Sequence, residues 1–216
     1  MGYSYLAWKN YDKALEYCQK AVGIYPDFVL GWNGLGDTYL NMGNIDKAVE
    51  SYNKALSIEP NYSTALANLG MIYGNSGNYD KAIEYYNKAI EIFPKNTMVL
   101  IGLGDVHSKL QNYDKAFGYY SKAIEIAPKM AYPQNGIGNI YYAMNDLDKA
   151  MEYYQKAVEL APNFSVAWYN LGGCYFGKQD YRKALENYQK ALALAPNYEP
   201  FKKAVETVSE KLNLKE

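Results

Sequence analysis

The sequence predicts an all-α protein built from stacked antiparallel helix pairs, and three observations point to it. Six of the eight prolines lie 34 residues apart: Pro26, Pro60, Pro94, Pro128, Pro162 and Pro196. Between successive prolines, apolar residues recur three and four positions apart, which is the spacing of one helix face. A turn rich in Asn and Gly, such as residues 41–44, separates two such stretches in each repeat. Because one pair cannot bury its own apolar side, we expect successive pairs to cover one another.

The second helix of each repeat has recognisable start and stop signals. It should begin after a capping Asn or Asp, at Asn10, Asn44, Asn78, Asn112, Asp146 and Asp180. An aspartate follows two residues later in five of the six repeats, where it faces the positive end of the helix dipole. The repeated proline ends the helix. The last segment, from about Pro200 to Leu212, predicts one further helix that caps the array.

Glycine recurs inside the first helix of each pair, ten residues after the proline. The positions are Gly36, Gly70, Gly104, Gly138 and Gly172. A glycine in the middle of a helix costs about 1 kcal/mol relative to alanine. We therefore expect the paired helices to touch at these glycines, with tyrosines filling the space between the helices.

Composition excludes several classes of function. The chain has 216 residues, 49% of them apolar, and a formal net charge of −1. A nucleic-acid-binding protein normally carries clustered Lys and Arg, so we expect no nucleic-acid partner. No stretch reaches the roughly 18 apolar residues that span a bilayer, and the first residues do not resemble a signal peptide. The two cysteines, Cys18 and Cys174, are expected to be reduced. These features together predict a cytoplasmic protein without membrane insertion.

Residues that carry catalytic chemistry are scarce. His107 is the only histidine, and its position holds tyrosine in the sister repeats, so we interpret it as a core substitution. No Cys or His cluster has the spacing of a metal site, and the glycines follow the repeat rather than a phosphate-binding loop. The sequence therefore predicts no enzyme activity, no metal and no cofactor.

The letters of one repeat resemble those of a known family. The pattern Trp32…Leu35-Gly36…Tyr39…Ala48…Tyr52…Ala55…Pro60 is similar to the tetratricopeptide repeat, a helix–turn–helix module. The resemblance implies a right-handed superhelical solenoid with a concave groove, forming one continuous domain. The repeat units would be residues 1–28 (a truncated unit), 29–62, 63–96, 97–130, 131–164 and 165–198, with 199–216 as the capping helix.

In that family the first helix of each unit lines the groove, which implies where a partner peptide would bind. Asparagines recur on or beside this face, and an amide side chain can both donate to and accept from a peptide backbone. Aromatic residues concentrate in the last two full units. The resulting groove candidates are Asn33, Asp37, Asn68, Met71, Asp105, Tyr132, Asn135, Asn139, Tyr142, Tyr169, Asn170, Phe176 and Lys203. The hypothesis is a non-catalytic adaptor or scaffold that binds an extended peptide, centred on Asn135, Asn139, Tyr142, Tyr169 and Asn170.

A related subfamily clamps a C-terminal carboxylate with lysine, arginine and asparagine on three inner helices. Asn139 and Asn170 match its two asparagines, but Pro200 and Ala204 stand where cations are needed, and only Lys203 lies nearby. Without cations a carboxylate has no charge-assisted partner, so the sequence argues against this clamp.

The beginning of the chain suggests an alternative function. Aligned to the repeat, the first helix is short, and Tyr3, Tyr5, Leu6 and Trp8 have no preceding unit to cover them. Such an edge is expected in a piece of a longer protein. It also fits a homo-oligomeric scaffold that docks end to end through the uncovered first helix.

Overall fold

A computed structural model describes residues 2–213, and these residues form thirteen α-helices and no strand. The helices are α1 (Gly2–Ala7), α2 (Tyr11–Ile24), α3 (Val29–Asn41), α4 (Ile45–Ile58), α5 (Ser63–Asn75), α6 (Tyr79–Ile92), α7 (Thr97–Lys109), α8 (Tyr113–Ile126), α9 (Ala131–Ala143), α10 (Leu147–Leu160), α11 (Ser165–Gly177), α12 (Tyr181–Leu194) and α13 (Glu199–Asn213). The all-α class predicted from the repeat is therefore confirmed.

The contacts divide the chain into two compact units, Met1–Val106 and His107–Glu216. In the first, the N-terminal unit, each helix from α1 to α6 packs on the next. In the second, the C-terminal unit, the same holds from α8 to α13. Pairs within one repeat, such as α3 with α4 and α11 with α12, share the most extensive contacts. The division into six repeats and a cap, as one continuous domain, stays a prediction.

Side-chain caps begin most of the second helices, as the sequence predicts. The side chains of Asn10, Asn44, Asn78, Asp146 and Asp180 each accept a hydrogen bond from the backbone N–H three residues later, at 3.1–3.3 Å. Each such bond satisfies one N–H that has no partner inside the helix. Asn112 differs, because its side chain makes no cap bond at the start of α8 within the described residues.

The glycines of the first helices lie against tyrosine rings, which confirms their predicted role. A Cβ added at Gly36 would lie 2.6 Å from Cδ1 of Tyr52, and one added at Gly138 would lie 2.6 Å from Cδ1 of Tyr154. The same contact pairs Gly172 with Tyr188. No side chain fits in these spaces, so glycine lets the ring of the second helix pack flat on the backbone of the first.

Charged residues of the second helices lie on the outside. The lysines at positions 20, 88 and 156 pair with the glutamates four residues earlier, at 2.5, 2.6 and 2.7 Å. These groups are exposed, so solvent screening leaves such pairs with little effect on stability. Lys190 lies instead 4.3 Å from the ring centroid of Trp168.

The last helix covers the sixth repeat. Phe201 and Val208 of α13 are buried, and Val208 belongs to a core cluster with Ala184 and Tyr188 of α12. α13 begins one residue before and ends one residue after the helix that the sequence predicts here.

Candidate functional site

The groove candidates lie on the first helices of the repeats and on α13. The structure places Asn33 and Asp37 on α3, and Asn68 and Met71 on α5, within the N-terminal unit. Asp105 follows on α7. The C-terminal unit carries the others: Tyr132, Asn135, Asn139 and Tyr142 on α9, Tyr169, Asn170 and Phe176 on α11, and Lys203 on α13. Spacings of three, four and seven residues bring members of one helix to the same face.

In the N-terminal unit, polar groups converge on Asp37. Its Oδ1 accepts hydrogen bonds from the Tyr52 hydroxyl at 2.7 Å and from Nδ2 of Asn68 at 3.0 Å. Its Oδ2 accepts a bond of 3.0 Å from Nδ2 of Asn33, which also donates to the Tyr3 hydroxyl at 3.0 Å. We call these five residues the Asp37 cluster.

In the C-terminal unit, the same geometry is built around an amide. Oδ1 of Asn139 accepts hydrogen bonds from the Tyr154 hydroxyl at 2.8 Å and from Nδ2 of Asn170 at 3.1 Å. Nδ2 of Asn170 also donates to Oδ1 of Asn135 at 2.9 Å. We call these four residues the Asn139 cluster.

Both clusters join one repeat to the next. In each, a second-helix tyrosine and the asparagine of the following first helix, Asn68 or Asn170, meet at one acceptor. The asparagines expected to bind a peptide thus bond to one another, to tyrosine and to Asp37. Sequence reasoning missed Tyr52 and Tyr154 as members. The available signal was a tyrosine that recurs every 34 residues from Tyr52 to Tyr188. In three of these five repeats an Asp or Asn stands fifteen positions earlier.

The asparagines of the predicted groove differ in their exposure to solvent. Asn33 is 1% exposed and Asn135 is 4% exposed, so their amides are covered by neighbouring residues. Asn139 is exposed, and Asn68 and Asn170 are half-buried. A peptide lying on α9 and α11 would therefore reach Asn139 and Asn170, whereas Asn135 would support them from below.

In the bonded pair Asn139–Asn170, one donor group and one acceptor group remain uncommitted. Oδ1 of Asn139 accepts the two hydrogen bonds made to this side chain. Nδ2 of Asn170 donates the two hydrogen bonds made by the Asn170 side chain. Nδ2 of Asn139 and Oδ1 of Asn170 bond to nothing within residues 2–213. Since the two side chains are bonded to each other, a free amide donor and a free carbonyl acceptor belong to neighbouring side chains.

Aromatic residues around this cluster divide into exposed and packed rings. Tyr132 and Tyr142 are about half exposed, at 46% and 47%. Tyr169 instead packs against the rings of Tyr188 and Phe201, with centroids 5.3 and 5.1 Å away. Phe176 lies 5.4 Å from Tyr181 in the same way. Tyr132 also stacks on Phe164, with centroids 6.2 Å apart. Among these four rings, Tyr132 and Tyr142 are therefore open to a ligand over about half of their surface.

Neither helix at this site carries a charge. The sequences of α9 and α11 contain no Asp, Glu, Lys, Arg or His. Lys203 is exposed on α13, two helices after α11 in the chain. The site therefore presents amides and phenol rings, and hydrogen bonding rather than ion pairing would hold a peptide there.

The protonation of the Asp37 cluster follows from its burial. Removal from water raises the pKa of the Asp37 carboxyl above its ordinary value of 3.8, and hydrogen bonds from Tyr52, Asn68 and Asn33 partly offset this effect. Burial, together with the nearby Asp37 carboxylate, also raises the pKa of Tyr52, so its hydroxyl keeps the proton that it donates. For Tyr3, burial raises the pKa to about 12.

The raised pKa of Asp37 predicts a pH dependence of stability. Between pH 3.8 and the raised value, the folded protein holds a proton that the unfolded chain has released. The free energy of unfolding must therefore fall as the pH rises through this window. We expect the stability of the wild type relative to Asp37→Asn to decrease over the same range, measured by urea unfolding at a series of pH values. Asp27→Asn, an exposed aspartate, serves as the control. Parallel curves for the wild type and Asp37→Asn would contradict the prediction.

The only histidine behaves as the sequence predicts. His107 is buried and stacks on Tyr119 with centroids 5.5 Å apart, as Tyr73 stacks on Tyr85 in an earlier repeat. Burial, aided by Lys115, lowers the pKa of its imidazole. It thus fills the ring position that tyrosine fills elsewhere.

The candidate self-association residues are partly packed. The hydroxyl of Tyr3 donates to the carbonyl of Leu30 at 3.1 Å, and Leu6 is half-buried. Tyr5 stacks on Tyr17 at 5.2 Å and meets the edge of Trp8 at 5.6 Å. Trp8 itself is 72% exposed, the highest value among the large apolar side chains that the structure describes.

Two further features are absent from residues 2–213. None of their helices combines the length and the apolar character that crossing a bilayer requires. No group of three or more His, Cys, Asp or Glu side chains in this range is arranged to hold a metal ion.

Repeated helix pairs joined through amides and tyrosines define an α-helical repeat protein of the solenoid class. Family models described as tetratricopeptide repeat match residues 1–28, 27–95, 96–163 and 165–198. The chain belongs to the tetratricopeptide repeat family. This confirms the family predicted from the sequence and supports a protein-interaction scaffold. A comparison with curated proteins finds no match.

Solved structures show the same fold. The chain is similar to one in the Cut9–Hcn1 hetero-tetramer of the APC/C, with a TM-score of 0.82 at 22% identity, covering 92% of this chain and 39% of that one. It is also similar to PilF of Pseudomonas aeruginosa, with a TM-score of 0.80 at 18% identity, covering 97% and 94%. For MamA the TM-score is 0.62 at 28% identity, covering 74% and 94%. The chain thus spans well under half of the Cut9–Hcn1 chain.

Proposed function

We propose that this protein is a non-catalytic adaptor that binds an extended peptide of a partner protein across α9 and α11. One observation carries the proposal: the bonded pair Asn139–Asn170 leaves an amide donor and a carbonyl acceptor uncommitted on neighbouring side chains. Each residue of a peptide backbone presents a C=O and an N–H. The C=O can accept from the free amide donor, and an N–H can donate to the free carbonyl acceptor.

The rest of the site favours recognition of the backbone rather than of charge. The peptide C=O would accept from Nδ2 of Asn139, and a peptide N–H would donate to Oδ1 of Asn170. Tyr132 and Tyr142, both half exposed, would contact side chains of the peptide. Tyr154 and Asn135 hold the two amides in place beforehand, which lowers the entropy cost of binding. Since α9 and α11 carry no charge, affinity should depend little on salt.

The proposal predicts which variants lose binding. Asn139→Ala combined with Asn170→Ala should weaken capture of peptides from a random-peptide array by about tenfold or more, since two hydrogen bonds of about 1 kcal/mol each are lost. Asn139→Asp is a sharper variant, because it keeps the acceptor for Tyr154 and replaces only the free donor. Asp37 already carries a carboxylate at the same repeat position. Capture is read by fluorescence of the labelled protein at low and high salt.

Controls separate binding from folding. Asn163→Ala with Asn197→Ala removes two exposed asparagines of the same compact unit and should leave capture unchanged. Circular dichroism and a thermal melt confirm that each variant is folded. If Asn139→Asp captures peptides as well as the wild type does, the placement of the site at Asn139 is wrong. If the wild type captures no peptide, the adaptor function is wrong.

The alternative is a scaffold that self-associates through α1, and the exposure of Trp8 favours it. Burial of such a ring in a second copy would be favourable by a few kcal/mol at most. Light scattering on the same samples over a concentration series distinguishes the two. Oligomers that grow with concentration and vanish in Trp8→Ser would support the scaffold, and a concentration-independent monomer would remove it.

We also propose that the protein is located in the cytoplasm. Cys18 and Cys174 are both free and buried, in agreement with the cytoplasmic location expected from the sequence. Burial raises the pKa of the Cys174 thiol to about 12, so this thiol is unreactive in the folded protein.

A further inference from the structure

A stacked pair of rings recurs on the side of the repeats away from the peptide site. In each pair, the ring thirteen residues after the proline lies on a tyrosine twelve residues further on. The pairs are Tyr5–Tyr17, Tyr73–Tyr85, His107–Tyr119 and Tyr141–Tyr153, with centroids 5.2–5.5 Å apart and interplanar angles of 6–20°. Four repeats therefore close this surface in the same way.

The second repeat lacks the second ring. Tyr39 occupies the usual position on α3, but Ser51 of α4 stands where the tyrosine is found elsewhere. The Ser51 hydroxyl donates back to the carbonyl of Lys47 at 2.7 Å, so it turns away from the vacated space. A cleft of about 420 Å³ lies here, which we call the Ser51 cleft. Its lining includes Gln19, Trp32, Tyr39, Lys47, Glu50 and Ser51.

The cleft offers two aromatic surfaces held in fixed positions. The indole N–H of Trp32 donates to the carbonyl of Pro26 at 2.7 Å. The Tyr39 ring has the ammonium of Lys47 at 5.3 Å from its centroid, and its hydroxyl accepts from Gln19 at 3.4 Å. Gln19, Lys47 and Glu50 supply polar groups at the rim. An apolar, aromatic floor with a few polar groups at its edge is typical of a ligand site.

The sixth repeat makes a similar substitution but covers its tryptophan. Asn187 takes the place of the second ring, and Trp168 occupies the position of Trp32. Its indole N–H likewise bonds to Pro162 at 2.9 Å, but Lys190 lies 4.3 Å from its ring centroid. In the described part of the chain, no lysine or arginine lies over Trp32. Of Trp32 and Trp168, which occupy the same repeat position, Trp32 is therefore the one without such a cover.

The cleft is separate from the Asp37 cluster on the same helix. Trp32, Leu35 and Tyr39 project from one side of α3, because successive residues turn by about 100°. Asn33 and Asp37 project from the opposite side. A ligand in the Ser51 cleft would therefore not compete with a peptide on the first-helix face.

We propose that the Ser51 cleft is a second binding site, which takes a tyrosine side chain of a partner protein. The ring would stack on Tyr39 in the place that the repeat's own tyrosine occupies elsewhere. The phenol hydroxyl would meet the polar rim at Gln19 or Glu50. The site goes beyond the proposed peptide function, since it lies on the other face and recognises one aromatic side chain.

Titration of the ¹⁵N-labelled full chain with p-cresol and with the tripeptide Gly-Tyr-Gly tests the proposal. The indole signal of Trp32, assigned with single Trp→Phe variants, should shift and saturate with a dissociation constant on the order of millimolar. The signals of Trp8 and Trp168 should stay in place. Gly-Leu-Gly should bind at least about threefold more weakly than Gly-Tyr-Gly, since it cannot stack.

Matched variants locate the binding in the cleft. Ser51→Tyr restores the missing ring and should weaken p-cresol binding at least about tenfold, whereas Ser51→Ala, which keeps the space, should bind as the wild type does. If Ser51→Tyr does not fold, Tyr39→Leu removes the stacking surface and should give the same loss. The absence of a Trp32 shift in the wild type, or the same shift in Ser51→Tyr or Tyr39→Leu, would overturn the proposal.

Two further outcomes bear on the occupant. Binding of p-cresol without any preference for Gly-Tyr-Gly over Gly-Leu-Gly would overturn the assignment to a protein side chain. A Trp32 signal that moves with protein concentration alone would mean that a second copy fills the cleft, and would also overturn it.

Discussion

Replacement of Tyr52 by alanine should destabilise the protein by about 4 kcal/mol, the largest effect expected of any single substitution considered for this chain. Tyr52 has no exposed surface, and its ring fills the space between α3 and α4 against Gly36. Its hydroxyl is one of three donors to the half-buried Asp37 carboxylate. The substitution therefore leaves a cavity and removes a hydrogen bond from a charged group in the same step.

Urea unfolding followed by circular dichroism measures this loss. Tyr52→Phe separates the two contributions, because it keeps the ring and removes only the hydroxyl, at an expected cost of about 1.5–3 kcal/mol. Tyr25→Ala, at a ring that is 66% exposed, should change stability by no more than about 0.5 kcal/mol. A Tyr52→Ala protein as stable as Tyr25→Ala would show that the ring is not a packing element.

Replacement of Gly36 by alanine should cost about 2 kcal/mol, although alanine favours a helix. The added Cβ would lie 2.6 Å from Cδ1 of Tyr52, so the ring or the helix must move. Gly118→Ala is the matched control. This glycine lies in α8, and a Cβ there meets nothing within 4 Å, so the same change should stabilise by about 0.5–1 kcal/mol.

The same Gly→Ala change is expected to lower the free energy of unfolding at position 36 and to raise it at position 118. Thermal and urea unfolding of the two variants should differ by about 3 kcal/mol. In the Tyr52→Ala background the clash disappears, so Gly36→Ala should become neutral or stabilising there, which a double-mutant cycle measures. Equal effects of Gly36→Ala and Gly118→Ala in the wild type would contradict the close contact.

The N-caps of the second helices show how much of the structure the local sequence predicts. An Asn or Asp before an apolar stretch predicts a cap from the chemistry of one side chain and a backbone N–H three residues away. Five of the six predicted caps form, whereas Asn112 makes no cap bond within the described residues. Its sequence context, Asn-Tyr-Asp-Lys, is the same as that of Asn78, which does form one. Nothing in the structure explains the difference.

The candidate site required information that no single repeat contains. Asn135 and Asn139 are both amides on one helix face, yet one is buried and the other exposed. Asn170 of the following repeat bonds to both, and this partner cannot be read from the repeat that contains Asn135 and Asn139. Likewise, Ser51 is unremarkable in the sequence. It matters because Tyr39 opposite it lacks the ring that its counterparts in four other repeats possess.

The sequence by itself determined the class of this protein: helices paired every 34 residues, ended by proline, capped by Asn or Asp, and brought together at glycine. These features depend on the local backbone and on periodic burial, both of which are written in the order of residues. Only the tertiary structure decided which amides are free and which rings are open. Those properties depend on how neighbouring repeats meet, because a hydrogen-bonding group or an aromatic face is available only when no packed neighbour has taken it.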